Sequence, residues 1–225
     1  MITMRDPLSC YMFTDRSDAA QQLVAALRRR DVVGDVVVTL APNGVPVGNV
    51  VADATDRPMD VVVIQRIQAP NHPELTIGAV APGGFSWINS PMMRFLEVNW
   101  EYVQEAKMHA SDTVEARAVD YGETWGPLDV AGKRVLLVDD GIPTGAAMRV
   151  ATQRLRKAGA DEVVAAAPVA PPDVLEEVQQ WADDVVVPLQ PAAFQATADY
   201  YEEFDSVTDE EATTALSDLV QRRSA

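Results

Sequence analysis

Short runs of consecutive apolar, mostly β-branched residues recur along the chain: DVVVTLA at Asp35–Ala41, DVVVIQRI at Asp60–Ile67, KRVLLVD at Lys133–Asp139, EVVAAAPVA at Glu162–Ala170 and DVVVPL at Asp184–Leu189. Their cores do not alternate apolar with polar residues. Each run therefore predicts a strand buried on both faces, as in a parallel sheet covered by helices. The intervening segments fit crossover helices. Asp18–Arg30 repeats Ala20, Leu23, Val24 and Leu27 on one helical face, Val45–Ala54 and Ala146–Ala158 follow strands, the latter closed by Gly159, and Pro172–Ala182 starts with proline in its first turn. The pattern predicts a doubly wound α/β fold: an open parallel β-sheet with helices on both faces.

Two regions break the alternation. TIGAV (Thr76–Val80) and FSWIN (Phe85–Asn89), joined through APGG, predict an antiparallel hairpin, and a helical stretch around Phe95–Ala118 follows, an insertion expected over the sheet's edge. Near the end, Thr208 and Glu211 have capping-box spacing, which predicts a helix running to about Val220. The aromatic residues Phe194, Tyr200, Tyr201 and Phe204 precede it.

Composition narrows the function classes. Thirty-four acidic against 18 basic side chains give 225 residues a formal net charge of −16. A field of that sign repels nucleic-acid backbones and anionic lipid, and the one basic run, Arg28–Arg30, sits where cations complement a helix end. No nucleic-acid or membrane partner is expected. No apolar run approaches the roughly 20 residues of a membrane span, and the first ten residues lack a signal-peptide pattern, so the expected location is cytoplasmic. A single cysteine, Cys10, excludes an internal disulfide. Lysine occurs only at 107, 133 and 157 and aspartate outnumbers glutamate, a surface that resembles halophilic, haloarchaeal proteins, whose salt-loaded cytoplasm screens self-repulsion.

VLLVDDGIPTGAAM, Val135–Met148, carries the chemistry. An apolar strand ends in two carboxylates, Asp139 and Asp140, and a short loop through Gly141, Ile142, Pro143, Thr144 and Gly145 enters a helix at Ala146 and Ala147. Ligands of open parallel sheets lie beyond the carboxyl ends of the strands. Unpaired amides at the helix start favour an anion such as phosphate, with a hydroxyl from Thr144 and close backbone approach at Gly145. Two rim carboxylates suit sugar hydroxyls or a magnesium ion held partly through water. Together these point to a sugar phosphate; a solvated turn with a helix cap is the bland alternative. The segment matches neither GxGxxG nor GxxxxGK[ST], which removes support from dehydrogenase and P-loop readings.

The same segment resembles the phosphoribosyl-diphosphate (PRPP) motif of type I phosphoribosyltransferases. The likeness extends to Met12–Arg16, LAPNGVPVG (Leu40–Gly48), APNHPELTIGAVAPGG (Ala69–Gly84), PVAPPD (Pro168–Asp173) and YYEEFDSVTDEE (Tyr200–Glu211), all similar to one little-characterised branch of that family. The resemblance implies one domain over 1–225, with a core at about 33–68 and 130–190 and a hood from about 75–125 and the terminal segments. It implies Mg2+ as cofactor, PRPP or another ribose 5-phosphate as ligand, and transfer of the phosphoribosyl group to a nitrogenous acceptor with release of diphosphate. A homodimer stays open.

Carried over by position, the resemblance makes Asp139 and Asp140 the catalytic pair that meets the ribose hydroxyls and the metal. It gives Ile142–Ala147, with Gly141 before them, to the 5′-phosphate, and Pro42, Asn43 and Gly44 with Arg66 to the diphosphate. The branch usually has Arg-Gly-Gly where this chain has Pro42-Asn43-Gly44 and two basic residues where it has Gln65-Arg66. Pro143 deletes an amide and stands where purine-using members carry a carboxylate, and Ala147 replaces a common hydroxyl. A non-catalytic, regulatory protein that binds PRPP or a nucleotide monophosphate is the alternative. His72, in the Pro-flanked PNHPE stretch, is either a surface-loop residue or an acid–base group. Phe85, Trp87 and Trp100 are either hood packing or a platform for a planar substrate.

Overall fold

The computed structural model describes residues 12–125 and 129–224; Cys10 lies outside the described residues. The chain runs α1 (Arg16–Arg29), β1 (Val36–Ala41), α2 (Val45–Thr55), β2 (Met59–Val63), β3 (Gln65–Ala69), β4 (His72–Ala81), β5 (Phe85–Ile88), α3 (Ser90–Phe95) and α4 (Trp100–Trp125). It continues with β6 (Arg134–Val138), α5 (Ala146–Lys157), β7 (Glu162–Ala166), α6 (Pro172–Val178), β8 (Asp184–Val186), a 3-10 turn at Thr197–Tyr200 and α7 (Asp209–Ser224).

Five strands form a parallel sheet in the order β2-β1-β6-β7-β8. Because successive strand side chains point to opposite faces, the uniformly apolar runs feed two cores. Val36, Val38, Leu40, Leu137 and Val163 join α5 and α6 on one face. Val37, Ala41, Leu136, Val138 and Val164 join α1, α2 and the start of α7 on the other. Each fully buried valine or leucine contributes about 1.5–3 kcal/mol relative to exposure, so polar breaks in these runs would be costly.

The run at 60–67 is not one strand. It splits at Ile64: β2 pairs parallel with β1, whereas β3 pairs antiparallel with β4, which in turn pairs with β5. The physical reason is legible in burial. Val62 and Val63 are buried on a strand covered on both faces, whereas β3 alternates buried Ile67 and Ala69 with exposed Gln68, the signature of a half-covered antiparallel strand. Residues 65–68 therefore belong to the insertion and not to the parallel core, and His72 opens β4 instead of standing in a loop. This second sheet packs one face on α5 and the other on α4, through Ile77, Val80, Val98 and Val103. α5 is thus held between two sheets. The inserted helix is two pieces, α3 and α4, and the last strand is shorter than its apolar run, ending at Val186.

The start of the described chain meets the segment before α7 at the carboxyl edge of the parallel sheet. Phe13 and Tyr201 form a parallel bridge and pack ring on ring at 5.2 Å, with Phe204 against Tyr201 at 4.7 Å. The capping box at Thr208 forms as expected: the Glu211 amide donates to Thr208 Oγ1 at 3.2 Å and the Thr208 amide to Glu211 Oε2 at 2.8 Å. α7 starts there, beside the site.

Candidate active site

β6 delivers Asp139 and Asp140 into this covered edge, where both are almost wholly buried. Two adjacent buried carboxylates are unfavourable unless they are compensated. Arg66, on β3, donates from Nη2 to Asp139 Oδ2 at 3.3 Å, and the Asp140 amide donates to Asp139 Oδ1 at 3.0 Å. Arg16, the first residue of α1, donates from Nε to Asp140 Oδ2 at 3.1 Å and places Nη2 3.0 Å from the same oxygen. Its Nη1 reaches the Asp205 carbonyl at 2.6 Å and its guanidinium lies 4.0 Å from the centre of the Phe204 ring. The Tyr201 hydroxyl donates to the Asp140 carbonyl at 2.6 Å. Burial, and then the Asp140 charge, raise the Asp139 pKa well above the usual carboxylate range against the pull of Arg66.

Among the described residues no donor meets Asp140 Oδ1, so that oxygen remains an acceptor for a ligand hydroxyl. The pair is an incomplete donor set for a metal. Magnesium, which keeps water and takes one or two carboxylates when a polyphosphate supplies further oxygens, fits such a pair, and Asp139 and Asp140 are the residues that would hold it.

The loop after Asp140 is tightly specified. Gly141 passes the strap formed by the 3-10 turn so closely that a Cβ would stand 2.5 Å from Thr197 Cγ2. Ile142 is buried and its amide donates to the Val169 carbonyl at 3.0 Å. Gly145 caps α5 in the left-handed region, φ 70°, where glycine is favoured, and no side chain caps the helix start. The amides of Ala146 and Ala147 therefore begin α5 without a side-chain acceptor, with Thr144 just before them. The pocket that the loop lines with Arg66 and Asp139 is small, about 10 Å³, about room for one water, and in this conformation too tight for a larger anion.

Pro42, Asn43 and Gly44 form the turn between β1 and α2. Gly44 has an ordinary helical φ of −75°; its role is space. A Cβ there would meet the Leu40 carbonyl and Thr39 Oγ1 at 2.7 Å and Asp139 Oδ1 at 2.9 Å. The turn is thereby pressed against the buried carboxylate. A cavity of about 300 Å³ lies between this turn and β3, lined by Pro42, Asn43, Gln65, Arg66, Arg117 and Asp139, with Ser206 and Val207 closing it from the C-terminal strap. Asn43 Oδ1 accepts from the Val207 amide at 3.3 Å. A second cavity, about 510 Å³, lies on the other side of the loop, bounded by Pro143 and Thr144, by Leu75, Thr76 and Met92 of the insertion, and by Pro171, Val174 and Phe194.

The structure brings Asp139, Gly141–Ala147, Asn43 and Arg66 to two adjoining pockets, with Gly44 pressed against Asp139; Asp140 lines neither pocket and is paired with Arg16. Arg66 is the second residue of β3. Two arginines are not among the residues that sequence reasoning marks. Arg16 lies inside the Met12–Arg16 segment, and Arg117 is on α4, with no local signal to mark it. His72 lines neither cavity and opens β4 at an exposed position. Phe85 and Trp87 pack against the core beside α5, with the Arg149 guanidinium 5.1 Å from the Trp87 ring centre, and Trp100 is exposed.

The profile of the phosphoribosyl transferase domain family matches residues 15–202, most of the chain. The chain belongs to the phosphoribosyl transferase family. Two Mycobacterium tuberculosis proteins, from strains CDC 1551 and H37Rv and both named only provisionally as phosphoribosyl transferases, are 32% identical over 205 residues, covering 91% of this chain and 46% of their own length. The chain spans about half the length of these curated relatives. The crystal structure of TT1426 from Thermus thermophilus is 33% identical, with a TM-score of 0.73 over 92% of this chain and 99% of that one. Among the described residues no helix is long and apolar enough to cross a membrane.

Proposed function

We propose that this member of the phosphoribosyl transferase family binds magnesium–PRPP and transfers its 5-phosphoribosyl group to a nitrogenous acceptor with release of diphosphate. The observation that carries the reading is the convergence of two buried carboxylates, an uncapped helix start and a separate arginine-bearing cavity within one covered sheet edge. Asp140 Oδ1 accepts from a ribose hydroxyl, and Asp139, held by Arg66, takes the neighbouring one. The loop Ile142–Ala147, once open, directs its amides at the 5′-phosphate. Asp139 and Asp140 are the residues that would hold a magnesium ion, which would supply charge neutralisation for the departing diphosphate.

The chain's own work is positioning and electrostatics. As the bond from the anomeric carbon to diphosphate breaks, negative charge moves onto the leaving oxygens in the 300 Å³ cavity, toward Arg66, and positive charge develops on the ribose ring beside the carboxylates. The strap from Thr197 to Asp209 and the second sheet exclude water that would otherwise capture the ring. The 510 Å³ cavity beyond Pro143, largely apolar and bordered by Phe194, is our candidate for the acceptor. Its position at 143 offers no carboxylate to handle a base proton, which disfavours purine salvage of that kind.

One observation favours a second reading. The turn at 42–44 has no charged side chain, and charge-assisted contacts are roughly twice as strong as neutral ones, so a regulatory protein that binds PRPP without turnover is the alternative. Calorimetry with magnesium–PRPP on wild type and on Asp139→Asn/Asp140→Asn, paired with a diphosphate-release assay over a panel of nitrogenous bases, separates the cases. The proposal expects binding and release by wild type and neither by the double variant, whose cooperative unfolding should persist because the amide oxygens still accept from Arg16 and Arg66 and Arg16 keeps the Asp205 carbonyl. Binding without release on any base favours the regulatory reading; equal binding by both proteins would remove the role given to the carboxylates.

A further inference from the structure

Arg117 belongs to the insertion, yet its side chain lines the same cavity as Arg66, Asp139 and the 42–43 turn. It is held there firmly. Nε and Nη2 both donate to Asp209 Oδ1, at 3.2 and 2.6 Å, and Nη1 donates to Gln65 Oε1 at 3.2 Å. The hydroxyl of the buried Tyr121, one turn further along α4, donates to the same Asp209 oxygen at 2.9 Å. Asp209 does not line the cavity, so the guanidinium faces it and the counter-ion stands behind. Of five N–H groups on a guanidinium, three are committed among the described residues, leaving one on each terminal nitrogen for a ligand.

The charges of the cavity make this placement consequential. The turn at 42–44 is uncharged, and the charge of Arg66 is partly spent on Asp139. A group with several anionic oxygens is poorly matched by one half-neutralised cation. A second guanidinium comes from a distant element: α4 brings Arg117, which shares its charge with Asp209, the first residue of α7, and is aimed by it.

We propose that Arg117 is a specificity-determining residue that contacts the diphosphate group of the substrate, so that the site prefers a phosphoribosyl diphosphate to a ribose phosphate lacking it. This deepens, and rests on, the functional reading above. Because the contact goes only to the diphosphate end, its loss separates two ligands that share the rest of the site.

Calorimetric titration of wild type, Arg117→Met and Arg117→Lys with magnesium–PRPP and, separately, with ribose 5-phosphate tests this. Wild type should bind PRPP more tightly. Arg117→Met should lose about tenfold or more for PRPP, as expected for hydrogen bonds from a charged group, and stay within about twofold for ribose 5-phosphate, where no such contact exists; Arg117→Lys should fall between. Asp209→Asn keeps an acceptor for Arg117 and Tyr121 while removing the opposing charge, and should tighten PRPP by about threefold. Equal losses for both ligands, or unchanged PRPP affinity in Arg117→Met, would overturn the assignment while leaving the wider reading intact. If Arg117→Met does not unfold cooperatively, Asp209→Asn decides, and unchanged or weaker PRPP binding by it overturns the assignment. A wild type that binds neither ligand overturns the functional reading and this inference together.

Discussion

Burial raises the pKa of Asp139 and of Asp60, and Asp60 offers the clearest test. Desolvation raises its pKa from 3.8 to about 6, opposed by hydrogen bonds from the backbone at Val61 and Asp129 and by the charge of Arg154, with the Asp129 charge adding to the rise. A carboxyl whose folded pKa is raised stabilises the fold fully below its unfolded value and loses that contribution as pH rises through about 6. Asp60→Asn should therefore raise the unfolding free energy by about 2 kcal/mol at pH 8 and change it little at pH 4. Denaturant titrations at the two pH values check this; an equal effect at both would show that ionisation is not responsible. At this same scale Asp139, Asp140 and the 141–147 loop are legible in the sequence because their chemistry is local: a strand end, two acids and a helix start follow one another within a single short motif. Arg16 and Arg117 are not legible as site residues, since Arg16 meets Asp140 across 124 positions and Arg117 meets Asp209 across 92. No spacing rule spans such separations.

Elements, more than single contacts, decide how the site is enclosed. Arg16 ties the start of α1 to the end of β6 and, through the Asp205 carbonyl, to the strap before α7. Its side chain is 10% exposed and that of Asp140 5%, so removing the cation strands a buried charge. Arg16→Met should cost about 3 kcal/mol, and adding Asp140→Asn should recover much of it, because the uncompensated charge is then gone. Additive losses in the double variant would mean that the pair does not interact as drawn. Strand positions are readable from apolar runs, but the change of partner at Ile64 is not: both halves of DVVVIQRI suit a strand, and only the second sheet, built from residues downstream, decides where β3 pairs. The hairpin at 76–89 and the capping box at Thr208 are readable, because turn glycines and cap spacing act locally.

For the molecule as a whole, a net charge of −16 means that the surface repels itself, and screening within a Debye length of about 10 Å at 0.1 M salt relieves that repulsion. The melting temperature should rise from low to molar potassium chloride; a flat or falling trend would refute the halophilic expectation. The same overall charge sharpens the question of how an anionic substrate is held at all. In the proposed function that task falls to one covered edge, where arginines from α1, β3 and α4 surround two carboxylates and an uncapped helix. The most direct test is a crystal grown or soaked with magnesium and PRPP. We expect the 5′-phosphate within hydrogen-bond reach of the amides at Ala146 and Ala147, the ribose hydroxyls at Asp139 and Asp140, and the diphosphate in the cavity between Pro42–Gly44 and Arg66. Ligand density at another surface, with the 142–147 loop closed as it is here, would contradict this placement.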